Sequence, residues 1–233
     1  MDVTTVYDCM GSNLGKFSVP HGVLLAGYVT GLGGVPWTAT QLAAHPDAVL
    51  IDQSPENTPT DETADVLDVE NQAATLADIP EWVHAARTSY ALGTRPGQRA
   101  PTIYMNQSTL TPVANTLVKA GIASGVNLWL AAEMSSVDAT AKVLAASGPY
   151  PIVGVQYAFL GDHDVSVFSN TWLNTRSKKP VTAEPKPGTQ SGWKFCRKCQ
   201  GLFWGPGQSM SRCPSSGQHD GSRSHVYRLG FDR

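Results

Sequence analysis

The chain has 233 residues, 41% of them apolar, which is room for one large domain or for a medium domain with a small module. No apolar run reaches the roughly 18 residues of a membrane helix, and the start, MDVTTVYDCMGSN, has neither the basic nor the apolar part of a signal peptide, so neither a membrane span nor a leader is expected. The net charge of −2 hides a split: residues 1–173 hold 6 Lys and Arg against 16 Asp and Glu, and residues 174–233 hold 11 against 3, as expected of two units with different surfaces, the second attractive to a polyanion.

In chain order, short apolar runs predict strands at 3–9 and 22–29, a helix at 37–44, strands at 48–53 and 64–70, and a helix at 76–92. That helix carries Ile79, Trp82, Val83, Ala86 and Tyr90 near a 3.6-residue period. A strand at 101–106, a helix at 109–120, a strand at 127–132, a helix at 135–146 and strands at 152–158 and 165–168 follow. Ser108 or Thr109 is placed to cap the helix that Gly121 ends. Strands alternating with helices predict a parallel sheet, and eight of them predict an α/β fold of the TIM-like (β/α) barrel kind, partly irregular because the early part lacks some helices. Such a barrel carries its site at the carboxyl ends of its strands. After residues 1–173 comes a Pro/Lys-rich stretch with almost no apolar residues, 174–192, read as a linker. Residues 193–233 hold Trp193, Phe195, Phe203, Trp204 and Tyr227 among Gly, Ser, Cys and His, with no helical period. A segment this short needs a staple to fold.

Asp68-Val69-Glu70 ends a β-rich run. Residues i and i+2 of a strand share a face, so both acids are expected in the barrel mouth with Val69 packed outward. Close like charges force one carboxyl to hold its proton to higher pH, as glycoside hydrolysis requires of its general acid. The same tripeptide also serves as a solvated edge or a cation site. Asp8 closes the first strand, and Asp162 and Asp164 precede the last. In a closed sheet the first and last strands are neighbours, which gathers Asp8 and Asp164 beside Asp68 and Glu70. Either Asp162 or Asp164 fits that role; the VSVF that follows favours Asp164.

The order of these pieces resembles the family 25 glycoside hydrolases, the Chalaropsis-type lysozymes, over residues 3–172. The matching pieces are Asp8 in VYDCMGSN, ADVLDVENQ, Tyr104 in PTIYMNQ, Trp129 in NLWLAAE, and VGVQYAFLGDHDVSVF. Residues 11–62 depart from the family: AGYVTGLGG lacks its lysine-bearing motif, and DQSPENTPTDET is an unusual polar loop. The resemblance implies an N-acetylmuramidase acting on peptidoglycan or another cell-wall glycan without a catalytic cofactor. It makes Glu70 the general acid. Asp68 and Asp164 stabilise positive charge or orient the N-acetyl group, and Asp8 completes the acidic floor. Tyr104, Trp129, Gln156 and Tyr157 line the sugar groove or fill the barrel core. A phage endolysin or virion-associated lysin fits, cytoplasmic until release or carried with virion proteins. The alternative is an inactive glycan-binding component of a virion or injection particle.

The last segment reads WKFCRKCQGLFWGPGQSMSRCPSSGQHDGSRSHVYRL. Cys196 and Cys199 form one knuckle, Cys213 follows after thirteen residues and His219 after five more. Three thiolates and an imidazole suit a closed structural zinc site in a small zinc-ribbon-like β module, with His225 as the alternative fourth ligand. The fourth cysteine, Cys9, stands alone near the start, and an odd cluster argues against a disulfide framework. The segment resembles a module appended to secreted and wall-associated actinobacterial proteins, for which a wall- or glycan-binding role is expected. A nucleic-acid finger is disfavoured, because no recognition helix follows the ligands.

Overall fold

A computed structural model describes residues 2–31, 35–53, 63–122, 124–177, 189–200, 202–204, 213–215, 217–222, 224 and 226–230. Residues 54–62 of the polar loop, the middle of the predicted linker and His225 lie outside the described residues. The described residues fall into two compact units, one within 2–177 and one within 189–230.

In the first unit, among the described residues, eight strands close into a barrel in sequence order. They are β1 (Val3–Cys9), β2 (Leu24–Tyr28), β3 (Val49–Asp52), β4 (Val66–Asp68), β5 (Thr102–Asn106), β6 (Asn127–Ala131), β7 (Ile152–Phe159) and β8 (Asp164–Ser169). The helices are α1 (Ala39–Ala44), α2 (Ile79–Leu92), α3 (Leu110–Lys119), α4 (Ser136–Leu144) and α5 (Asn170–Asn174). Their ends follow local chemistry. Thr38 and Gln41 form a capping box on α1, and Gly93 takes the left-handed conformation, φ 63°, that ends α2. The turn before α3 is capped by Asn106, whose carboxamide accepts from the Thr109 N–H, rather than by Ser108 or Thr109.

The sheet is not wholly parallel. β1 through β7 run parallel, but β8 is antiparallel to both β7 and β1. The four residues between β7 and β8 cannot make the crossover that a parallel strand needs, so the chain reverses as a hairpin. The start of β8 therefore lies at the same end of the barrel as the carboxyl ends of the other seven strands.

Side chains alternate between two cores. Val6, Ala26, Val49, Ile51, Val66, Trp129 and Phe168 form one cluster, and Leu67, Val69, Ile103, Met105 and Leu130 join α2 and α3 in another. Gly154 is required here, because a Cβ on it would stand 2.4 Å from the Phe168 ring. The end opposite the mouth is tied by a buried ion pair. Arg99 Nη1 lies 3.3 Å from Asp65 Oδ2 and also donates to the Ala48 carbonyl, Arg95 meets the other carboxylate oxygen, and Trp172 of α5 donates to the Ala100 carbonyl at 3.1 Å. Every carboxylate oxygen of Asp65 is thereby occupied by a donor, the condition under which a buried charge is tolerated.

The second unit is a three-stranded antiparallel sheet with β9 (Thr189–Phe195) between β10 (Leu202–Trp204) and β11 (Tyr227–Gly230). β9 takes up the last residues of the stretch read as linker. Among the described residues no helix is long and apolar enough to cross a membrane.

Candidate functional site

The barrel mouth collects carboxyl groups from three strands. Asp8 near the end of β1 is the ladder partner of Asp164 at the start of β8. Asp68 ends β4, and Glu70 follows two residues on, with Val69 buried in the outer core between them. The reversed direction of β8 is what puts Asp164 here; in an all-parallel barrel the first residue of the last strand would lie at the far end. Asp162 turns elsewhere: its carboxylate meets His163 Nδ1 at 2.5 Å, and the His163 ring stacks on Phe17 and packs at a tilt against Tyr7.

These four acids hold their protons unusually well. Burial raises Asp8 well above the carboxylate range, and the charges of Asp164 and Asp68 add to this against a hydrogen bond from Tyr28. Burial likewise lifts Asp68 to about 7, opposed by the hydrogen bond from Gln53 and aided by the charge of Glu70. Asp164 rises to about 6 through burial and the charge of Glu70, while hydrogen bonds from Gln156 and Asp8 pull the other way. Glu70 is raised by burial, with the Tyr104 hydroxyl favouring its ionised form. Like charges at this spacing cannot all ionise, so near neutral pH the cluster shares protons.

Two positions that the sequence reading missed complete the site. Gln53, just past β3, donates from Nε2 to Asp68 Oδ2 at 2.8 Å and leaves Asp68 Oδ1 buried without a partner. Tyr28, ending β2, directs its hydroxyl to Asp8 Oδ1 at 3.4 Å. Their place at strand ends on the mouth side was the available signal. With Met10, Asp68, Glu70, Asn71, Gln72 and Ala73 they line a pocket of about 200 Å³.

The aromatic candidates divide. The Tyr104 hydroxyl donates to Gln156 Oε1 at 2.9 Å, which puts both groups at the acid cluster. Trp129 is only 1% exposed, edge-on to Tyr104 and Phe168, with its indole N–H on the Ser166 hydroxyl, and so lies in the barrel core. Tyr157 packs with Val155, Val167 and α4 on the outer face.

In the second unit Cys196, Cys199, Cys213 and His219 converge, with all ligand atoms within 4.8 Å of one another. Cys196 Sγ and Cys213 Sγ are 3.7 Å apart, and Cys199 Sγ and His219 Nδ1 are also 3.7 Å apart. A tetrahedral ion with metal–sulfur bonds of about 2.3 Å would set such edges at about 3.6–3.8 Å, so the set fits a metal. The 3.7 Å between Cys196 Sγ and Cys213 Sγ is far too long for a disulfide. Desolvation opposes ionisation of Cys196. The backbone N–H of Cys199, the His219 side chain and the N–H groups of Asp220 and Lys198 nevertheless pull its thiol down to about 5. The Phe203 ring stacks on His219 at 4.6 Å and holds the imidazole plane.

No family model and no curated protein matches the chain. Two solved structures align with it. One is an uncharacterised protein of B. stearothermophilus, at 11% identity and a TM-score of 0.44, covering 74% of this chain and 99% of that one. The other is the bacterial lysozyme from Streptomyces coelicolor, at 14% identity and a TM-score of 0.44, covering 75% and 97%.

The acid cluster makes stability depend on pH. The folded carboxyl of Asp68, at about 7, lies above its unfolded value of 3.8. Its stabilising contribution is complete below about pH 4 and is lost as pH rises through about 7, at roughly 1.4 kcal/mol per unit. Denaturant unfolding of the wild type should therefore show lower stability at pH 8 than at pH 4.5. In Asp68→Asn, which cannot ionise, the difference should shrink, and equal differences in the two proteins would refute the assignment.

Proposed function

We propose that the barrel is a glycoside hydrolase of the N-acetylmuramidase type, cutting the β-1,4 bond between N-acetylmuramic acid and N-acetylglucosamine in peptidoglycan. The observation that carries this reading is the convergence of Asp8, Asp68, Glu70 and Asp164 at one barrel mouth, with every one of them pushed toward the protonated form. Glycoside cleavage needs a carboxyl that still holds a proton beside one that can carry negative charge.

Glu70 acts as the general acid. It is half-buried and keeps its proton through desolvation, with Tyr104 beside it. It delivers that proton to the glycosidic oxygen as the bond to the anomeric carbon breaks. Asp68, held by Gln53, offers its unpartnered oxygen to the positive charge that develops or to the substrate N-acetyl group. Asp164 supports the same charge from β8. Asp8, as fully buried as Asp68, remains protonated and lets the other carboxyls lie close. Tyr104 and Gln156 contact the sugar, and Trp129 supports the floor beneath them.

Glu70→Gln keeps the shape of the site and removes the proton donor. Release of reducing ends from peptidoglycan should fall by about 10²- to 10⁴-fold. Wild-type activity should decline as pH rises beyond the raised range of Glu70, because the acid must stay protonated. Mass analysis of the muropeptides reads the bond cut. An inert wild type, or equal activity in Glu70→Gln, would refute the reading.

The small unit is proposed to carry structural zinc on Cys196, Cys199, Cys213 and His219 Nδ1. Four protein ligands leave no position for a catalytic water, so the ion serves folding. The basic residues 174–233 suit this unit to anionic wall polymer, and a phage endolysin or virion-associated lysin is the setting such a pairing fits. Chelation of the purified protein should release one zinc and abolish the β9 to β11 amide signals, while the barrel signals persist. A protein that contains no zinc as isolated and shows the same β9 to β11 signals after chelation would contradict this assignment.

A further inference from the structure

Phe159, the last residue of β7, is 70% exposed, although phenylalanine is among the residue types most often buried. Its direction follows from a break in the ladder. Gln156 stands opposite Ser166, but the next pairs are Ala158 with Val165 and Phe159 with Asp164, so Tyr157 is the extra residue of a β-bulge. Strict alternation from Gln156 would aim residues 158 and 160 at the mouth and turn 159 away. The bulge shifts the phase by one, so Ala158 follows Tyr157 to the outer face and Phe159 turns to the face of its partner, because directly paired residues of antiparallel strands share a side. That partner is Asp164, which reaches Asp8 and Gln156 in the mouth.

We infer that Phe159 is a sugar-stacking platform at the edge of the catalytic groove, taking the apolar face of a pyranose ring in an N-acetylhexosamine oligosaccharide. The inference rests on the glycosidase reading above. The pocket at Tyr28, Gln53 and Asp68 belongs to the β2–β4 side of the ring, and β7 stands four strands from β3. A glycan crossing the acids from that pocket meets Phe159 on the far side. The arrangement selects a chain of several sugars over a disaccharide, and it gives the exposed ring and the bulge a shared purpose.

The test compares full-length wild type, Phe159→Ala, Phe159→Trp and Leu160→Ala on a soluble β-1,4 hexasaccharide of alternating N-acetylglucosamine and N-acetylmuramic acid. Loss of one aromatic stacking partner should raise KM by roughly 3- to 10-fold in Phe159→Ala, with a much smaller change in kcat. Phe159→Trp should restore KM, and Leu160→Ala, at the exposed turn beside it, should match the wild type. Active wild type with an unaltered KM in Phe159→Ala overturns the platform while leaving the glycosidase standing. So does an equal rise in Leu160→Ala, which would trace the effect to the hairpin. A wild type that neither binds nor cleaves the hexasaccharide overturns both readings.

Discussion

The reversal of one strand is the constraint on which the site depends. Seven strands of the barrel run parallel and would deliver only their carboxyl ends to the mouth. The four-residue turn after β7 leaves no length for a crossover, so β8 comes back antiparallel and brings its first residue, Asp164, against Asp8. Closure between β8 and β1 then sets Asp8 and Asp164, 156 positions apart in the chain, side by side, with Asp68 and Glu70 contributed by β4 and the residues that follow it.

Crowding carboxyls in a desolvated mouth works against folding unless protons are retained, and the fold meets this with a short set of polar contacts. Gln53 holds Asp68, Tyr28 reaches Asp8, and Tyr104 joins Gln156 beside Glu70. At the opposite end Asp65 and Arg99 face no such conflict, since the charges are of opposite sign and the donors are nearly complete. One end of the barrel is thus electrostatically settled and the other strained toward the protonated state, the asymmetry expected when chemistry resides at a single end.

Much of this was legible from residue patterns. Short apolar runs marked all eight barrel strands, and the Asp68-x-Glu70 spacing put two acids on one face with Val69 outward. Asp164 was reached by the correct neighbour argument, but the expectation of a parallel sheet could not by itself have put it at the mouth; that took the short turn. Gln53 and Tyr28 were missed because a neutral amide and a phenol carry no pattern until the strands are registered. Phe159 went unnoticed because a bulge shifts alternation by one residue and leaves no mark in composition, while Tyr157, next to the inward Gln156, packs on the outer face. Trp129 could be groove or core from sequence, and its ring contacts with Tyr104 and Phe168 put it in the core. The Cys/His spacing was more explicit, since a knuckle and two later ligands define a tetrahedron with little help from the rest of the chain.

The central claim is that four distant acids behave as one proton-sharing cluster. The most direct measurement is a carbon-detected NMR titration of side-chain carboxyls in wild type and Asp8→Asn. The account predicts that Asp68 titrates near 7 and Asp164 near 6 in the wild type, and that removing the Asp8 carboxyl moves the Asp164 titration. Four independent titrations close to 4, the same in both proteins, would contradict it.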